Sequence, residues 1–181
     1  MHARWRYDFP LDHALLAAKY HHQFALYRWA VATLTAWPFA ATERVTLVPV
    51  PLAPDRLAER GYNQATLIAQ ELAHRFRGAD GAPALSVDAN AALRIRETAV
   101  QQRLNWVERR RNVRGAFAAT RSFTGEAVVL IDDVLTTGAT LNELARVLTA
   151  AGAAQVDALV LARVLPIRRR ERSNAFGRAV S

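Results

Sequence analysis

"VVLIDDVLTTGAT", residues 128–140, is the stretch that decides the fold of this chain. Four apolar residues end in two adjacent carboxylates, Asp132 and Asp133, and two more apolar residues lead into a loop of threonine, glycine and alanine. A continuous apolar run without alternation is typical of a central strand that is covered on both faces. The stretch therefore predicts a buried strand over 127–131 that ends in a charged, hydroxyl-rich loop.

The segments around this strand alternate between strand and helix patterns. Short apolar runs predict strands at 44–51, 84–88 and 155–164, and apolar spacing predicts helices at 63–76 and 139–152. Such alternation predicts an α/β fold, a single domain with a largely parallel central sheet flanked by helices.

The alanine-rich segment 9–38 reads as helical, with a break near His21 and His22. Four aromatic residues of this segment are expected in its core: Tyr20, Tyr27, Trp29 and Trp37. The expected organisation is an N-terminal helical hood at 1–42, an α/β core at 43–166 and a basic, flexible tail at 167–181.

Composition limits the classes of function. The chain has 181 residues, 51% hydrophobic and 22% charged, which suits one soluble domain with a sizeable core. Its net charge is +8, almost entirely from arginine, since Lys19 is the only lysine, and this favours polyanionic partners.

Several classes of protein are excluded or disfavoured by the same residues. The absence of cysteine excludes disulfides and cysteine-bound zinc. The N-terminus lacks the apolar core of a signal peptide, and the longest apolar stretch, 29–41, is too short to span a bilayer. We therefore expect a cytoplasmic protein with no membrane partner.

The loop after the two acids has the chemistry of a phosphate site. Ligands of open parallel sheets bind beyond the carboxyl ends of the strands, and the start of a helix favours an anion. Thr136, Thr137 and Thr140 add hydroxyl donors, and Gly138 lets a ligand approach the backbone closely. An acid pair suits the vicinal hydroxyls of a sugar, so the spacing describes a ribose 5-phosphate.

A structural interpretation competes with this one. A buried strand followed by an N-capped helix, with Asp133 as a turn residue, needs no ligand. That interpretation is favoured for an isolated pair of aspartates, whereas the complete threonine and glycine loop favours the ligand site.

The whole stretch resembles the phosphoribosyl pyrophosphate (PRPP) binding motif of type I phosphoribosyltransferases. The resemblance implies that Asp132 and Asp133 hold the ribose hydroxyls as catalytic residues. It also implies a site for the 5-phosphate, made by Thr136, Thr137, Gly138, Ala139 and Thr140.

Two further stretches resemble the ComF/GntX branch of that superfamily. The first is the Arg-Gly-aromatic-Asn-Gln signature at 60–64, and the second is 96–117, with Thr98, Gln101, Leu104, Arg109, Asn112 and Phe117. The resemblance runs from about residue 7 to 165. The branch implies a link with DNA uptake and competence, and its superfamily implies nucleotide metabolism.

The pyrophosphate side of such a site needs cations, because the leaving group is an anion. The resemblance assigns pyrophosphate contact to Arg56, Arg60 and Arg109, with Arg60 also catalytic, and makes 94–112 a mobile loop in which Arg94 and Arg96 help to close the site. The Mg²⁺ cofactor is expected to arrive with PRPP, near Asp132 and Asp133, without a direct protein ligand.

Simpler interpretations of these residues stay open. Arg109–Arg111 would also fit a solvated helical face, and Asn63 and Gln64 could cap the next helix. The histidines at positions 2, 13, 21 and 22 match no usual zinc spacing.

The chain departs from the expected family pattern in two places. ComF-like proteins commonly carry an N-terminal four-cysteine zinc module; either this member lacks it or the chain starts downstream of it. Thr136 stands where 6-oxopurine transferases have an aspartate, which disfavours hypoxanthine or guanine as the acceptor. The acceptor is left open.

Two functions follow from these observations. The leading one is a Mg²⁺-dependent PRPP-binding phosphoribosyltransferase of unknown acceptor. The alternative is a non-catalytic PRPP sensor or single-stranded-DNA-binding accessory protein, supported by the +8 charge, Arg109–Arg111 and "IRRRER" at 167–172. Expected partners are PRPP or a ribose 5-phosphate ligand and the DNA-uptake machinery, and a homodimer is left open.

Overall fold

A computed structural model describes residues 1–20, 23–39, 43–96 and 113–165 of the chain. Its strands are β1 (His2–Arg6), β2 (Arg44–Pro49), β3 (Ala84–Val87), β4 (Ala92–Arg94), β5 (Phe117–Ala119), β6 (Ala127–Leu135) and β7 (Gln155–Arg163). Its helices are α1 (Leu11–Tyr20), α2 (Ala25–Ala32), α3 (Pro54–Arg60), α4 (Gln64–Arg75) and α5 (Ala139–Ala150).

Five parallel strands form the central sheet in the order β1-β7-β6-β2-β3. The apolar run at 128–131 occupies the middle strand, β6, between β7 and β2. Side chains of β6 are buried on both faces, which explains why this strand lacks an alternating pattern. The predicted α/β fold with a largely parallel sheet is confirmed.

Each face of the sheet has its own hydrophobic core. On one face, Val129 and Ile131 pack with apolar residues of α1, α2 and α4. On the other face, Val128 and Leu130 pack with apolar residues of α5. Because successive side chains of a strand point to opposite faces, β6 contributes to both cores.

Helix positions agree well with the sequence pattern, with one addition. The hood helices α1 and α2 lie on either side of the expected break, although His21 and His22 are outside the described residues. The segment 51–60, to which no element was assigned from the sequence, contains α3, which begins at Pro54. Proline has its φ angle preset for the first turn of a helix, and this favours a helix start there.

Three strands were not predicted. β1 pairs in parallel with β7 as an edge strand, so residues 2–6 of the expected hood range belong to the central sheet. β4 and β5 form a separate antiparallel pair. All three are short, and β1 contains charged residues, so their apolar patterns are weak signals of a strand.

The middle strand is longer than predicted. The sequence indicated an end at Ile131, whereas β6 continues to Leu135 and keeps its pairing with β7, including Asp132 with Val160 and Leu135 with Arg163. On its other side, pairing with β2 stops at Ile131 opposite Pro49. The two acids therefore lie inside a strand that projects beyond one of its neighbours.

The expected aromatic core of the hood is only partly confirmed. Tyr27 and Trp37 are buried, but Trp29 is 55% exposed and stacks on Trp5, with 5.6 Å between ring centroids. Trp29 was therefore wrongly assigned to the core. Among the described helices, none is long and apolar enough to cross a membrane.

The turn at Gly152, between α5 and β7, is the tightest glycine position in the described chain. Its φ angle is +101°, and a Cβ atom there would lie 2.9 Å from Thr124 Oγ1 and 3.1 Å from the Thr124 Cα atom and backbone nitrogen. Glycine is needed for both conformation and space.

We expect Gly152→Ala to lower the free energy of unfolding by about 2–4 kcal/mol, because left-handed strain and overpacking add. Gly81→Ala is the matched control, since Gly81 has a φ of +71° but open space around it. That control should cost about 1 kcal/mol in urea unfolding, the strain term alone. Equal losses of unfolding free energy in the two variants would show that the contact between the added Cβ atom and Thr124 is not costly.

Candidate functional site

The acid pair lies where β6 projects beyond β2. Alternation along the strand places Asp132 on the face of Val128 and Leu130, and Asp133 on the opposite face. Asp132 is half-buried, whereas Asp133 is only 3% exposed. The two neighbouring carboxylates therefore have different surroundings.

Lys19, near the end of α1, covers Asp133. Its Nζ atom lies 2.5 Å from Asp133 Oδ2, and the two side chains are 19% and 5% exposed. The other oxygen, Oδ1, accepts a hydrogen bond from the backbone N–H of Val134 at 2.9 Å. Both oxygens of Asp133 thus have partners within the protein, and one of those partners belongs to the hood.

The same arrangement perturbs the protonation of Asp132 and Lys19. Burial, and next the charge of Asp133, raise the pKa of Asp132 well above its usual value. Burial alone would lower the pKa of Lys19, but the adjacent Asp133 carboxylate raises it, and the net shift is upward. Strongly perturbed acids in a cleft are candidates for a functional site.

The loop at 136–140 joins β6 to α5 as the sequence predicted. Gly138 has a φ of +74° and stands at the N-cap position, where it offers no side-chain cap to the helix. Thr137 Oγ1 accepts from the backbone N–H of Ala139 at 3.4 Å, a long contact. The first N–H groups of a helix have no partner within it, so this helix start suits an anion.

Exposure within the loop also fits a ligand. Thr136 is exposed, Thr137, Gly138 and Thr140 are half-buried, and Ala139 is buried. The hydroxyl-bearing residues are thus the accessible ones.

The signature at 60–64 is a joint between three elements. Arg60 is the last residue of α3, and Gly61, with a φ of +73°, ends that helix. The hydroxyl of Tyr62 donates to the carbonyl oxygens of Ala18 at 2.7 Å and Lys19 at 3.1 Å, in the last turn of α1. Tyr62 thereby holds the backbone from which Lys19 reaches Asp133.

The two amides of the signature have separate tasks. Asn63 Oδ1 accepts from the backbone N–H of Ala65 as the N-cap of α4, and Asn63 Nδ2 donates to the carbonyl oxygen of Val50, each at 3.0 Å. Gln64 is buried, and its Oε1 accepts from Arg60 Nη1 at 3.3 Å. Helix capping is therefore one role of Asn63, and Gln64 orients Arg60.

The candidate arginines differ in position. The charge of Arg60 acts on the pKa of Lys19, Tyr27 and Tyr62, so its guanidinium belongs to the cluster around Asp133. Arg56 forms an ion pair with Glu59 on α3, at 2.6 Å, and no contact with the acid pair is recorded for it. Arg109 and the run Arg109–Arg111 lie outside the described residues.

Two arginines expected in the mobile loop lie at its described N-terminal end. The Arg94 guanidinium lies over the Phe117 ring, 5.6 Å from its centroid, and burial lowers the pKa of Arg94. Arg96 donates to the carbonyl oxygen of Arg114 at 2.9 Å. These contacts link the two ends of the segment 97–112, which itself lies outside the described residues.

Sequence reasoning missed Lys19 and the role of Tyr62. Both act through contacts between distant parts of the chain, which no local pattern reveals. The one available signal for Lys19 was its status as the only lysine in an arginine-rich chain.

Comparison with known proteins agrees with this geometry. Residues 57–176 match the model of the phosphoribosyl transferase domain family. Competence protein F of Haemophilus influenzae is 34% identical over 167 residues, which cover 85% of this chain and 68% of that protein. The chain belongs to the ComF family of type I phosphoribosyltransferases.

Further relatives of this ComF-family chain carry related names. The DNA utilization protein YhgH of Salmonella typhi is 38% identical over 119 residues, 66% of this chain and 49% of the relative. Competence protein ComFC of Streptococcus pneumoniae is 33% identical over 116 residues, 64% of this chain and 47% of the relative. The chain thus spans about half the length of these two relatives.

We expect Asn63→Ala to lower the free energy of unfolding by about 2–3 kcal/mol, since it removes a helix cap and leaves the Val50 carbonyl without its donor. Asn63→Asp is the matched comparison, because it keeps the capping oxygen but cannot donate. It should lose about half as much in urea unfolding. If Asn63→Asp lowered the free energy of unfolding as much as Asn63→Ala, the capping hydrogen bond would not contribute to stability.

Proposed function

We propose that this ComF-family chain binds PRPP at the carboxyl edge of its sheet and transfers the 5-phosphoribosyl group to an acceptor. The observation that supports this most strongly is the juxtaposition within β6 and α5. A carboxylate pair in a projecting strand is followed, four residues after Asp132, by hydroxyl groups at an uncapped helix start. A ribose diol and its 5-phosphate need these two kinds of group at this spacing.

Each part of the ligand has a proposed holder. Asp132 and Asp133 accept hydrogen bonds from the ribose hydroxyls, and the 5-phosphate accepts hydrogen bonds from the loop 136–140. Asp132 is the more accessible of the two acids. The accessible hydroxyls of Thr136, Thr137 and Thr140 supply donors for the phosphate.

Arg60 is the proposed contact for the pyrophosphate. It lies in the same cluster as Lys19 and the acids, and Gln64 orients it. Arg56, on the same helix, and Arg109 are further candidates. Each cation would stabilise the negative charge that develops on pyrophosphate as its bond to the anomeric carbon breaks.

Mg²⁺ fits this proposal as an ion carried by PRPP. In this proposal the phosphate oxygens of PRPP supply the ligands of the ion, which lies near Asp132 and Asp133 without a direct protein ligand. The ion would neutralise the leaving pyrophosphate.

In this proposal the acceptor of the transfer binds on the side of the N-terminal hood. Thr136, which stands where 6-oxopurine transferases have an aspartate, disfavours hypoxanthine and guanine. Release of pyrophosphate from PRPP, screened with nitrogen bases and amines, would separate an enzyme from a PRPP sensor.

We expect Asp132→Asn to weaken PRPP binding at least about tenfold, because a hydrogen bond to a charged group contributes about 1.5–3 kcal/mol. Calorimetry with PRPP and Mg²⁺ measures this directly. Asp157→Asn is a matched control, since Asp157 lies near the start of β7, at the opposite end of the sheet. Binding heat that survives unchanged in Asp132→Asn would contradict the ribose role of that residue.

A second candidate function is binding of single-stranded DNA. Its support is the net charge of +8, the names of the relatives and an exposed aromatic surface on the hood. On that surface Trp29 stacks on Trp5, and the Arg4 guanidinium lies 5.7 Å from the Trp5 ring centroid. Aromatic rings beside arginines suit stacked bases and phosphates. The basic segments 109–111 and 167–172 lie outside the described residues.

We expect Trp29→Ala to weaken binding of a labelled single-stranded oligonucleotide by about 1–3 kcal/mol, the usual contribution of one stacked base. Trp29→Phe keeps a ring and should lose less. The affinity of the wild type should also fall steeply with salt. Fluorescence anisotropy measures all three, and equal affinity of the wild type and Trp29→Ala would exclude this surface.

A further inference from the structure

Lys19 has no role in the site as the family motif describes it. It is nevertheless the only lysine of the chain and lies largely buried, with its ammonium group 2.5 Å from Asp133 Oδ2. A buried ion pair is a weak source of stability, because desolvation of two charges offsets their attraction. Its position against the second acid of the motif therefore suggests a role in the site rather than in stability.

The structure fixes Lys19 from two directions. Tyr62, from the signature segment, donates to the carbonyl oxygens of Ala18 and Lys19 and so holds the end of α1. The Lys19 side chain then extends from that turn to Asp133 in the middle strand. The hood, the signature and β6 meet at this one side chain.

We propose that Lys19 is a positioning residue of the ribose site: its ammonium group holds the Asp133 carboxylate in one orientation, so that the acid pair is ready for the ribose hydroxyls. This inference rests on the proposed function and adds to it a specific role for the hood. Two adjacent carboxylates repel each other, and a nearby cation offsets part of that repulsion.

The other charged and titratable groups around the pair strengthen this assignment. Asp132 on β6 raises the pKa of Lys19, and Arg60 on α3 lowers it. Asp133 raises the pKa of both Tyr27 on α2 and Tyr62. Burial is the largest cause of the raised pKa of Tyr27 and of Tyr62, so both side chains are neutral at ordinary pH. Lys19 is thus a cation in direct contact with Asp133.

Removal of the ammonium group should change the pH dependence of binding. An ionised carboxylate accepts from the ribose hydroxyls more strongly than a protonated one, so binding weakens as pH falls through the pKa of Asp132. The charge of Lys19 opposes the rise in the pKa of Asp132, so removal of Lys19 raises that pKa further. The loss of binding should then begin at higher pH.

The test is calorimetry with ribose 5-phosphate and with PRPP plus Mg²⁺, from acid to neutral pH, on the wild type, Lys19→Met and Lys19→Arg. We expect the midpoint of the pH dependence to move upward by about 1 unit in Lys19→Met, because the charge of Lys19 lowers the pKa of Asp132. Lys19→Arg keeps a cation and should stay near the wild-type midpoint. Titration of the ligand phosphates is common to all three proteins and cancels.

The outcomes separate this inference from the proposed function. A wild type that binds neither ligand overturns the proposed function. A wild type that binds, together with a folded Lys19→Met variant that has an unchanged midpoint, overturns the role of Lys19 alone. A merely structural ion pair would lower thermal stability without moving the midpoint.

A second measurement needs neither ligand nor the Lys19→Met variant. Because the chain has one lysine, acylation by an amine reagent, followed by proteolysis and mass spectrometry of the peptides, separates the Lys19 side chain from the N-terminal amine. We expect acylation to be slow in the wild type and at least about tenfold faster in Asp133→Asn, since the loss of the carboxylate lowers the pKa of Lys19. Asp157→Asn is the control, and equal rates in all three proteins overturn the pairing.

Discussion

The projection of β6 beyond β2 is the constraint on which the site depends. β7 accompanies the middle strand to Leu135, whereas β2 ends at Pro49, so that among the described strands none pairs with the last residues of β6 on that side. The opening lies at the carboxyl edge of a parallel sheet, and the helix that follows begins only a few residues later. Backbone pairing therefore decides where a polar ligand could reach the middle of an otherwise apolar sheet.

Two adjacent carboxylates in such a strand pose an electrostatic problem, which the fold resolves by giving them unlike surroundings. Alternation directs one acid to each face of the sheet. Asp133 is buried against the ammonium group of Lys19, while Asp132 stays partly open with a raised pKa. The charge of Asp133 is compensated by Lys19, while Asp132 remains accessible beside it, and the repulsion between the two acids is thereby reduced.

The signature at 60–64 connects the surroundings of the acid pair to the rest of the molecule. Gly61 ends α3, Tyr62 holds α1, and Asn63 caps α4 while it binds the end of the strand segment at Val50. Five consecutive residues thus set the relative positions of the hood, the candidate pyrophosphate side and the acid pair. The signature resembles a ligand-binding motif, but most of its residues hold structural elements together. Arg60 is its candidate for contact with a ligand.

The sequence by itself determined the α/β class, the parallel sheet, the family and the short loop between β6 and α5, because each depends on apolar periodicity or on a contiguous motif. Periodicity could not reveal β1 or the β4–β5 pair, since short strands acquire their identity from partners far along the chain. It also predicted the end of β6 too early, because the pairing of β6 with β7 continues past the two charged residues. Only the tertiary structure decided that Asp133 is paired with Lys19 and that Trp29 is exposed, since both facts depend on how α1 and α2 pack on the sheet.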